Sequence, residues 1–346
     1  MKIPGKTLFS KARKKVKESF ESRGVILMYH RVADVSSDPW QLAVSPKNFE
    51  EHMQVLQKYS SCMKLQEMGK RIEKGKQLKK AVAVTFDDGY ADNFLYAKPL
   101  LEKYNNPASI FVSTSFIGKN TEYWWDDLDR ILLQPGKLPE ELSINISNKN
   151  FNWKLEGSTL YTEEESKKYR EWLNWEEAPT VRHYLYNAIW HLLVTEPDDE
   201  KERVLSEMAL WAGLERDGRI ENRPLTVDQL QKLVKGNIVD VGGHTVSHPK
   251  LSSKSLDIQR QEILQGKIFL EDVLEKPIET FSYPFGDFTK ETVPLVREAG
   301  FSCACTTVSD IVRKQNTIYE LPRLEVINWD GETFERKLHK WLYRIK

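Results

Sequence analysis

The sequence predicts an α/β fold: a distorted (β/α)7 barrel, TIM-like but one unit short of eight, with a hairpin-plus-helical subdomain inserted into it. Three features of the 346-residue chain lead to this reading. Seven short segments are apolar almost throughout, helical segments with recognisable ends separate them, and one long interval breaks the alternation. Strands apolar on both faces belong to a sheet covered on both sides, and a strand–helix repeat makes that sheet parallel.

The strand segments, in order, are GVILMYHR (24–31), AVAVTFDD (81–88), ASIFVS (108–113), NIVDVGGHT (237–245), ETFSYPFG (279–286), FSCACTT (301–307) and LPRLEV (321–326). Among the helices between them, TVDQLQKLVKGN carries Thr226 and Gln229 in capping-box spacing and stops at Gly236. Another runs from Thr289 to Gly300, and one around 255–275 gathers Ile263, Phe269, Leu270, Val273 and Leu274 on an apolar face.

From about Lys119 to Arg223 no strand of the series occurs, yet seven of the ten tryptophans lie there. ELSINISNKNFNWKLEG alternates Ile144 and Ile146, turns at Asn148–Lys149, and alternates again through Phe151, Trp153 and Leu155, which is a hairpin pattern. Helices follow: one starts at Thr162, one places Tyr184, Leu185, Ala188, Ile189, Leu192 and Leu193 on one face, and one ends at Gly213. The expected organisation is a basic segment over 1–24, a barrel over 25–118 and 224–330, an insertion over 119–223, and a basic amphipathic helix over 331–346. Helical spacing assigns most of these tryptophans to the insertion's core rather than to a sugar-stacking platform. Trp124 and Trp125, close behind a barrel strand, are the exception and are candidates for the site.

Composition narrows the function. With 40% apolar and 29% charged residues the chain can bury one large core, or a core plus a smaller subdomain. Lys and Arg total 51, as do Asp and Glu, so no global basic field draws the chain to nucleic acid. No apolar run reaches the length of a membrane span and the N-terminus has no apolar signal core, which places the protein in the cytoplasm. Cys62, Cys303 and Cys305 are too few for a disulfide framework, and Cys303 and Cys305, two apart on a strand, read as buried reduced thiols.

In barrels of this kind the active site forms where the strands end. Those ends deliver Tyr29 and His30, Asp87 and Asp88, His244 and His248, Tyr283 and Pro284, and Arg323. Two adjacent aspartates finishing a buried strand are tolerable when one ligates a cation and the other faces a polar site. His244 and His248 can reach the same ion if the chain turns helically after its strand. One carboxylate and two imidazoles suit a catalytic transition metal, zinc most simply.

TFDDGY (85–90), HTVSH (244–248), YPFG (283–286) and LPR (321–323), in this order, resemble the motifs of the polysaccharide deacetylases of carbohydrate esterase family 4, the NodB homology domain, over about 25–113 and 226–327. VILMYHRV (25–32) resembles the start of circularly permuted members. The resemblance implies that Asp87 is the general base, that Asp88, His244 and His248 bind a divalent metal (Zn2+, with Co2+, Ni2+ or Mn2+ as alternatives), and that His30 is the general acid. It further implies an oxyanion contact from the Tyr90 amide, with Tyr283, Pro284, Phe285, Trp124 and Trp125 at the substrate. Many members place an arginine two positions before the proline of YPFG; here Ser282 stands there, and Arg323 is expected to supply the charge. NWDGE (328–332) is at most a fragment of the late aspartate–tryptophan motif, and His339 reads as surface.

The activity implied is metal-dependent hydrolysis of an N-acyl, foremost N-acetyl, group on a sugar of a surface or extracellular glycan or its biosynthetic intermediate. The alternatives are a deformylase on a lipid-linked amino sugar and a glycan-binding protein that has lost the chemistry. Both chain ends are basic: residues 1–24 hold eight Lys or Arg against two Glu, and 332–346 hold five against two. They read as solvated faces, with peripheral contact to an anionic membrane at its inner face as the second reading.

Overall fold

The computed structural model describes residues 23–343, so the basic segment ahead of residue 23 lies outside the described residues. Strand β1 (Arg23–Tyr29) leads through helices α1 (Pro46–Tyr59) and α2 (Leu65–Glu73) to β2 (Ala81–Phe86). Helix α3 (Lys98–Lys103) connects β2 to β3 (Ala108–Val112). Four helices come next, α4 (Trp124–Leu132), α5 (Glu163–Tyr169), α6 (Val181–Leu193) and α7 (Asp198–Trp211), with a hairpin of Glu141–Ile146 and Lys149–Lys154 between α4 and α5. The barrel then resumes with α8 (Val227–Leu233), β4 (Val239–Gly243), α9 (Leu256–Leu274), β5 (Thr280–Ser282), α10 (Thr292–Glu298), β6 (Cys303–Ser309), β7 (Leu321–Glu325) and α11 (Gly331–Tyr343).

All seven predicted strands form, each pairs in parallel with the next, and β7 returns to β1 through Leu27↔Leu324. The sheet is therefore a closed parallel barrel ringed by helices. In a closed ring the strand that comes first in the chain can occupy the place of a strand that comes last, so this order is consistent with circular permutation.

Alternation along the strands sorts the core into two layers. Val82, Val84 and Phe86 of β2 face outward and pack with Phe49 and Met53 of α1. Ala81 and Ala83 face inward with Ile26, Phe111, Cys303 and Cys305, and α2 closes that end with Leu65, Met68 and Ile72. The inward residues on β2 are small because the interior also holds the guanidinium of Arg323, 5.7 Å from the Phe111 ring. The thiols are buried and free as expected, and burial pushes Cys303 up to about 12.

Between β3 and β4 no element joins the barrel sheet. These elements bury a core of their own that includes Trp124, Trp125, Trp172 and Trp190, while Trp175 remains 63% exposed. Arg182, 1% exposed, donates to the carbonyls of Ser158, Thr159 and Gly136 and ties the segment after the hairpin to α6. Two expectations are corrected here. The buried face of α6 is Arg182, Leu185, Tyr186, Ile189, Trp190 and Leu193, whereas Tyr184 is exposed, because hydrogen-bonded polar groups on Arg182 and Tyr186 make them interior residues despite their polarity. The hairpin turns at Ser147–Asn148 rather than Asn148–Lys149; both turn residues have positive φ, the twist a two-residue hairpin requires.

Helix α11 forms over Gly331–Tyr343, but Phe334, Leu338 and Leu342 are buried. It packs on α1, where His52 stacks on Phe334 at 4.1 Å and its Nε2 lies 2.8 Å from the Trp329 carbonyl. On the same helix Trp341 is half-buried and Tyr343 is exposed. No helix among the described residues is long and apolar enough to cross a membrane.

Candidate metal centre

The strand ends converge as expected, and each side chain is held by an identifiable neighbour. Asp87 continues the inward alternation of β2, and its backbone N–H bonds the Tyr29 carbonyl across to β1. Inside the barrel it meets Arg323, which donates from Nη1 to Asp87 Oδ1 at 2.7 Å and from Nη2 to Oδ2 at 2.6 Å. Arg323 is fully buried and also donates to the Thr306 carbonyl, Thr85 Oγ1 and Ser282 Oγ. Burial works against the charge on Asp87, but the guanidinium holds its carboxyl below the usual range. Ser282, the departure from the motif noted in the sequence, accepts from Arg323, the arginine that β7 supplies.

Asp88 leaves the strand with φ 73°, followed by Gly89 at φ 90°. A Cβ on Gly89 would lie 3.1 Å from the Val112 side chain, so the left-handed turn and the close approach both favour glycine. The turn swings the Asp88 carboxylate away from Asp87 and toward the histidines: Oδ1 lies 3.5 Å from His244 Nε2 and 3.3 Å from His248 Nε2.

The segment carrying the two histidines does not turn helically, which corrects the sequence reading. It is a loop with left-handed residues at Thr245 (φ 67°) and His248 (φ 56°). Glu262 of α9 buttresses it, accepting from the Val246 and Ser247 amides and from Ser247 Oγ. The helix approaches so closely that a Cβ on Gly266 would sit 2.9 Å from the Thr245 carbonyl. A carboxylate bonded to consecutive amides holds a non-helical turn in place, and so brings side chains four apart to one point without a helix.

Three buried donors, one each from Asp88, His244 and His248, lie within 4.8 Å of one another. His244 Nδ1 is 2.8 Å from the Ser282 carbonyl, which can only accept. Nδ1 therefore carries a proton, which leaves Nε2 as the nitrogen able to ligate a cation. Burial lowers the pKa of His248, favouring the neutral imidazole that ligates metals. One carboxylate oxygen and two imidazole nitrogens converging in a buried site are the donors a divalent metal takes, so the set fits one. His248 Nδ1 has no hydrogen-bond partner among the described residues; its ring is held by packing against Trp125 at 5.2 Å and Phe285 at 4.5 Å.

A cavity of about 120 Å³ opens over this group, lined by His30, Trp40, Leu42, Asp87, Asp88, Trp125, Trp190, His244, His248, Phe285 and Thr307. His30, Trp125 and Phe285 are where the sequence reading wanted them. Three others are not. Tyr283 is buried in the core with its hydroxyl on the Tyr319 carbonyl, Pro284 is buried beside it, and Trp124 faces a different hollow beside Lys201. In YPFG the left-handed backbone at Phe285, φ 56°, turns that side chain alone into the mouth. His339 lies on α11, away from the cavity, 3.8 Å from Glu335. Trp40, Leu42 and Trp190 escaped the sequence reading because no local pattern marks a loop or helix residue that reaches the mouth only through packing, and Thr307, on β6, carries no motif that singles it out.

Tyr90 is fully buried, and its ring carries the Arg31 guanidinium at 4.5 Å. Its hydroxyl donates to Asp126 Oδ2 at 2.7 Å and accepts from Trp125 Nε1 at 2.8 Å. Burial first, with Glu122 nearby, raises Asp126 to about 7 although Arg31 and Tyr90 oppose it. Tyr90 pairs with Pro224 in a bridge whose hydrogen bonds run through Ala91 and Leu225, which leaves the Tyr90 N–H unspent by the bridge.

Barrel, strand-end carboxylates and histidine loop together define the fold of the polysaccharide deacetylases, with a metal-capable centre of the kind found in metal-dependent hydrolases. The sequence profile of the family described as "Polysaccharide deacetylase" matches residues 74–139 and 201–304. The Bacillus subtilis (strain 168) protein YxkH, whose assigned name is that of a polysaccharide deacetylase, is 38% identical over 95 residues, 27% of this chain and 33% of its own. The match thus spans about a third of that curated relative. Among solved structures, the Streptococcus pyogenes deacetylase PplD in complex with acetate superposes with a TM-score of 0.57 at 18% identity, covering 92% of this chain and 99% of its own. IcaB from Ammonifex degensii gives 0.56 at 16%, covering 93% and 97%. At such identities the likeness establishes the fold.

Proposed function

We propose that the protein is a carbohydrate esterase family 4 deacetylase, a circularly permuted member, that removes an N-acetyl group from a sugar of a surface or extracellular glycan or its biosynthetic intermediate. The observation that carries the proposal is the placement of Asp88, His244 and His248 around one point, with the Arg323-held carboxylate of Asp87 and the His30 ring facing the same cavity. A binding protein has no use for a metal triad, a fixed base and an acid together.

Asp88, His244 and His248 would hold the metal, zinc by its donor set. When bound, the metal supplies a Lewis acid that polarises the acyl carbonyl and an attacking water. Asp87 takes the proton of that water. Its two bonds to Arg323 keep the carboxylate ionised and fix its direction, so the base is ready without reorganisation. The Tyr90 N–H receives the negative charge that develops on the carbonyl oxygen. His30 gives a proton to the departing amine nitrogen, which cannot leave unprotonated near neutral pH. Trp125 and Phe285 form apolar walls that confine the acyl group and exclude bulk water.

Acetate release from N-acetylated oligosaccharides, measured on zinc-loaded and chelator-treated protein, tests the proposal. Release that depends on the metal and falls with Asp87→Asn supports it. No release from N-acetylated sugars, with release from N-formylated ones, would replace it with the deformylase reading.

A further inference from the structure

The elements between β3 and β4 do more than pack beside the barrel. They reach across the mouth to meet the segment that follows β1. This 33–42 segment is pinned to them at four points: Arg170 Nη2 donates to the Val35 carbonyl at 2.8 Å, the Asn174 amide to the Pro39 carbonyl at 3.1 Å, Ser36 Oγ to Gln134 Oε1 at 3.2 Å, and Trp40 Nε1 to the Tyr186 hydroxyl at 2.8 Å. Trp40 and Trp190 then touch, ring centroids 4.4 Å apart, and Trp190 meets Phe285 edge-on at 6.4 Å. Lys250 Nζ fills the corner, 5.9 Å from one ring and 5.8 Å from the other. The wall therefore runs unbroken from the β1 loop, through α6, to the loop after β5.

Behind this wall lies a second hollow of about 430 Å³, lined by Asp34, Asp38, Gln41, Ala43, Arg170 and Asn328 among others. Trp40 and Leu42 face the metal-capable cavity, whereas Gln41 and Ala43 face the hollow, so one strip of chain divides the two spaces. A glycan bound through an internal sugar needs room on both sides of the reacting residue. Here one side is closed by stacked aromatic rings, and the cavity's 120 Å³ is well below the roughly 300 Å³ at which drug-sized ligand pockets begin.

Resting on the deacetylase reading, we propose that this wall makes the site a one-ended pocket, selective for an N-acyl sugar at the terminus of a glycan or carried singly, and closed to sugars inside a chain. Trp40 is the specificity-determining residue, because it both forms the partition and anchors it to Tyr186.

The test uses the full-length, zinc-loaded protein and N-acetylated hexosamine oligosaccharides from monomer to hexamer, with the positions of the freed amines mapped by mass spectrometry. The expected result is one acetyl lost per chain, at an end, whatever the length. Acetyl loss from interior positions, or in numbers that grow with length, would overturn the proposal while leaving the deacetylase reading intact. Trp40→Ala should admit interior sugars; a variant that still acts only at ends would overturn the role given to the partition. A binding arm keeps the two readings separable if no acetate appears: tryptophan fluorescence is titrated with the tetramer and with the same tetramer blocked at both ends by bulky groups. Free ends should bind about tenfold tighter or more, the scale of one lost aromatic contact. Equal affinity, or no binding of either, would refute the pocket.

Discussion

Arg323→Met isolates the interaction on which the proposed base depends. Methionine keeps much of the side-chain volume inside the barrel but strands the Asp87 carboxylate, now 3% exposed and matched by two charge-assisted bonds of 2.6 and 2.7 Å. Removing one partner of a buried pair typically costs ~3–5 kcal/mol, a large share of the roughly 5–15 kcal/mol by which a folded domain is stable. The same substitution also releases the Thr306 carbonyl, Thr85 Oγ1 and Ser282 Oγ from their bonds, so part of the loss has nothing to do with Asp87. A double-mutant cycle separates the two parts. Urea unfolding of metal-stripped wild type, R323M, D87N and the double variant gives the coupling, and stripping the metal removes its own linkage to folding. The double variant should be less destabilised than the sum of the single variants by at least ~2 kcal/mol. In the metal-loaded state, R323M should keep its metal and still lose about tenfold or more in turnover, because the base is no longer aimed. Simple additivity of the two single costs would refute the reasoning, whatever the activity does.

Asp87→Asn should retain the metal and lose roughly two orders of magnitude or more in rate; metal analysis showing an empty site would mean that the two aspartates have exchanged roles. His244→Ala should weaken zinc affinity by several kcal/mol, of order a thousandfold, read by competition with a chelator; an unchanged affinity would remove it from the ligand set. His30→Gln should depress turnover of amide substrates severely while sparing activated esters, whose leaving group needs no proton; equal losses on both would take the acid role from it. His52 predicts an acid-side loss of stability. Its Nε2 faces the Trp329 carbonyl and Nδ1 the Tyr29 hydroxyl, so the buried ring is neutral, and burial lowers its pKa from 6.5 to about 4. A depressed group contributes stability that is present above 6.5 and lost as pH falls through about 4, here ~3 kcal/mol at 1.36 kcal/mol per unit. His52→Gln should flatten stability over that window, and an unchanged slope from denaturant titrations would point to other groups.

Much of this molecule was written locally. Seven apolar strand segments, the Thr226–Gln229 capping box and the alternation of the hairpin each depend on near neighbours in sequence, and each formed. The strand ends gave Asp87, Asp88, His244, His248 and His30 because a parallel barrel collects strand C-termini at one mouth, whichever side chains end them, whereas Arg323 sits in the middle of β7 and reaches Asp87 through the barrel interior. The direction a side chain takes after the strand is a different matter. Tyr283 and Pro284 turn into the core and Phe285 into the cavity, a choice made by a single left-handed residue that the YPFG string does not announce. His244 and His248 meet through a loop braced by Glu262 from a helix packed against it, where sequence spacing suggested a helical turn.

The wall of the site shows the limit most clearly. Trp40, Tyr186 and Trp190 come from segments roughly 150 residues apart and carry no shared motif. Periodicity could say that α6 has an apolar face, yet it chose Tyr184 where the structure buries Tyr186. Hydrophobic pattern records which residues avoid water, and the hydrogen bonds that let Arg182 and the Tyr186 hydroxyl be buried exist only after distant elements have docked. The sequence by itself therefore determined the barrel and the donors that can hold a metal, since both follow from short-range alternation and strand ends. The tertiary structure alone decided the shape of the space above them, because that shape is set by contacts whose partners no local rule brings together.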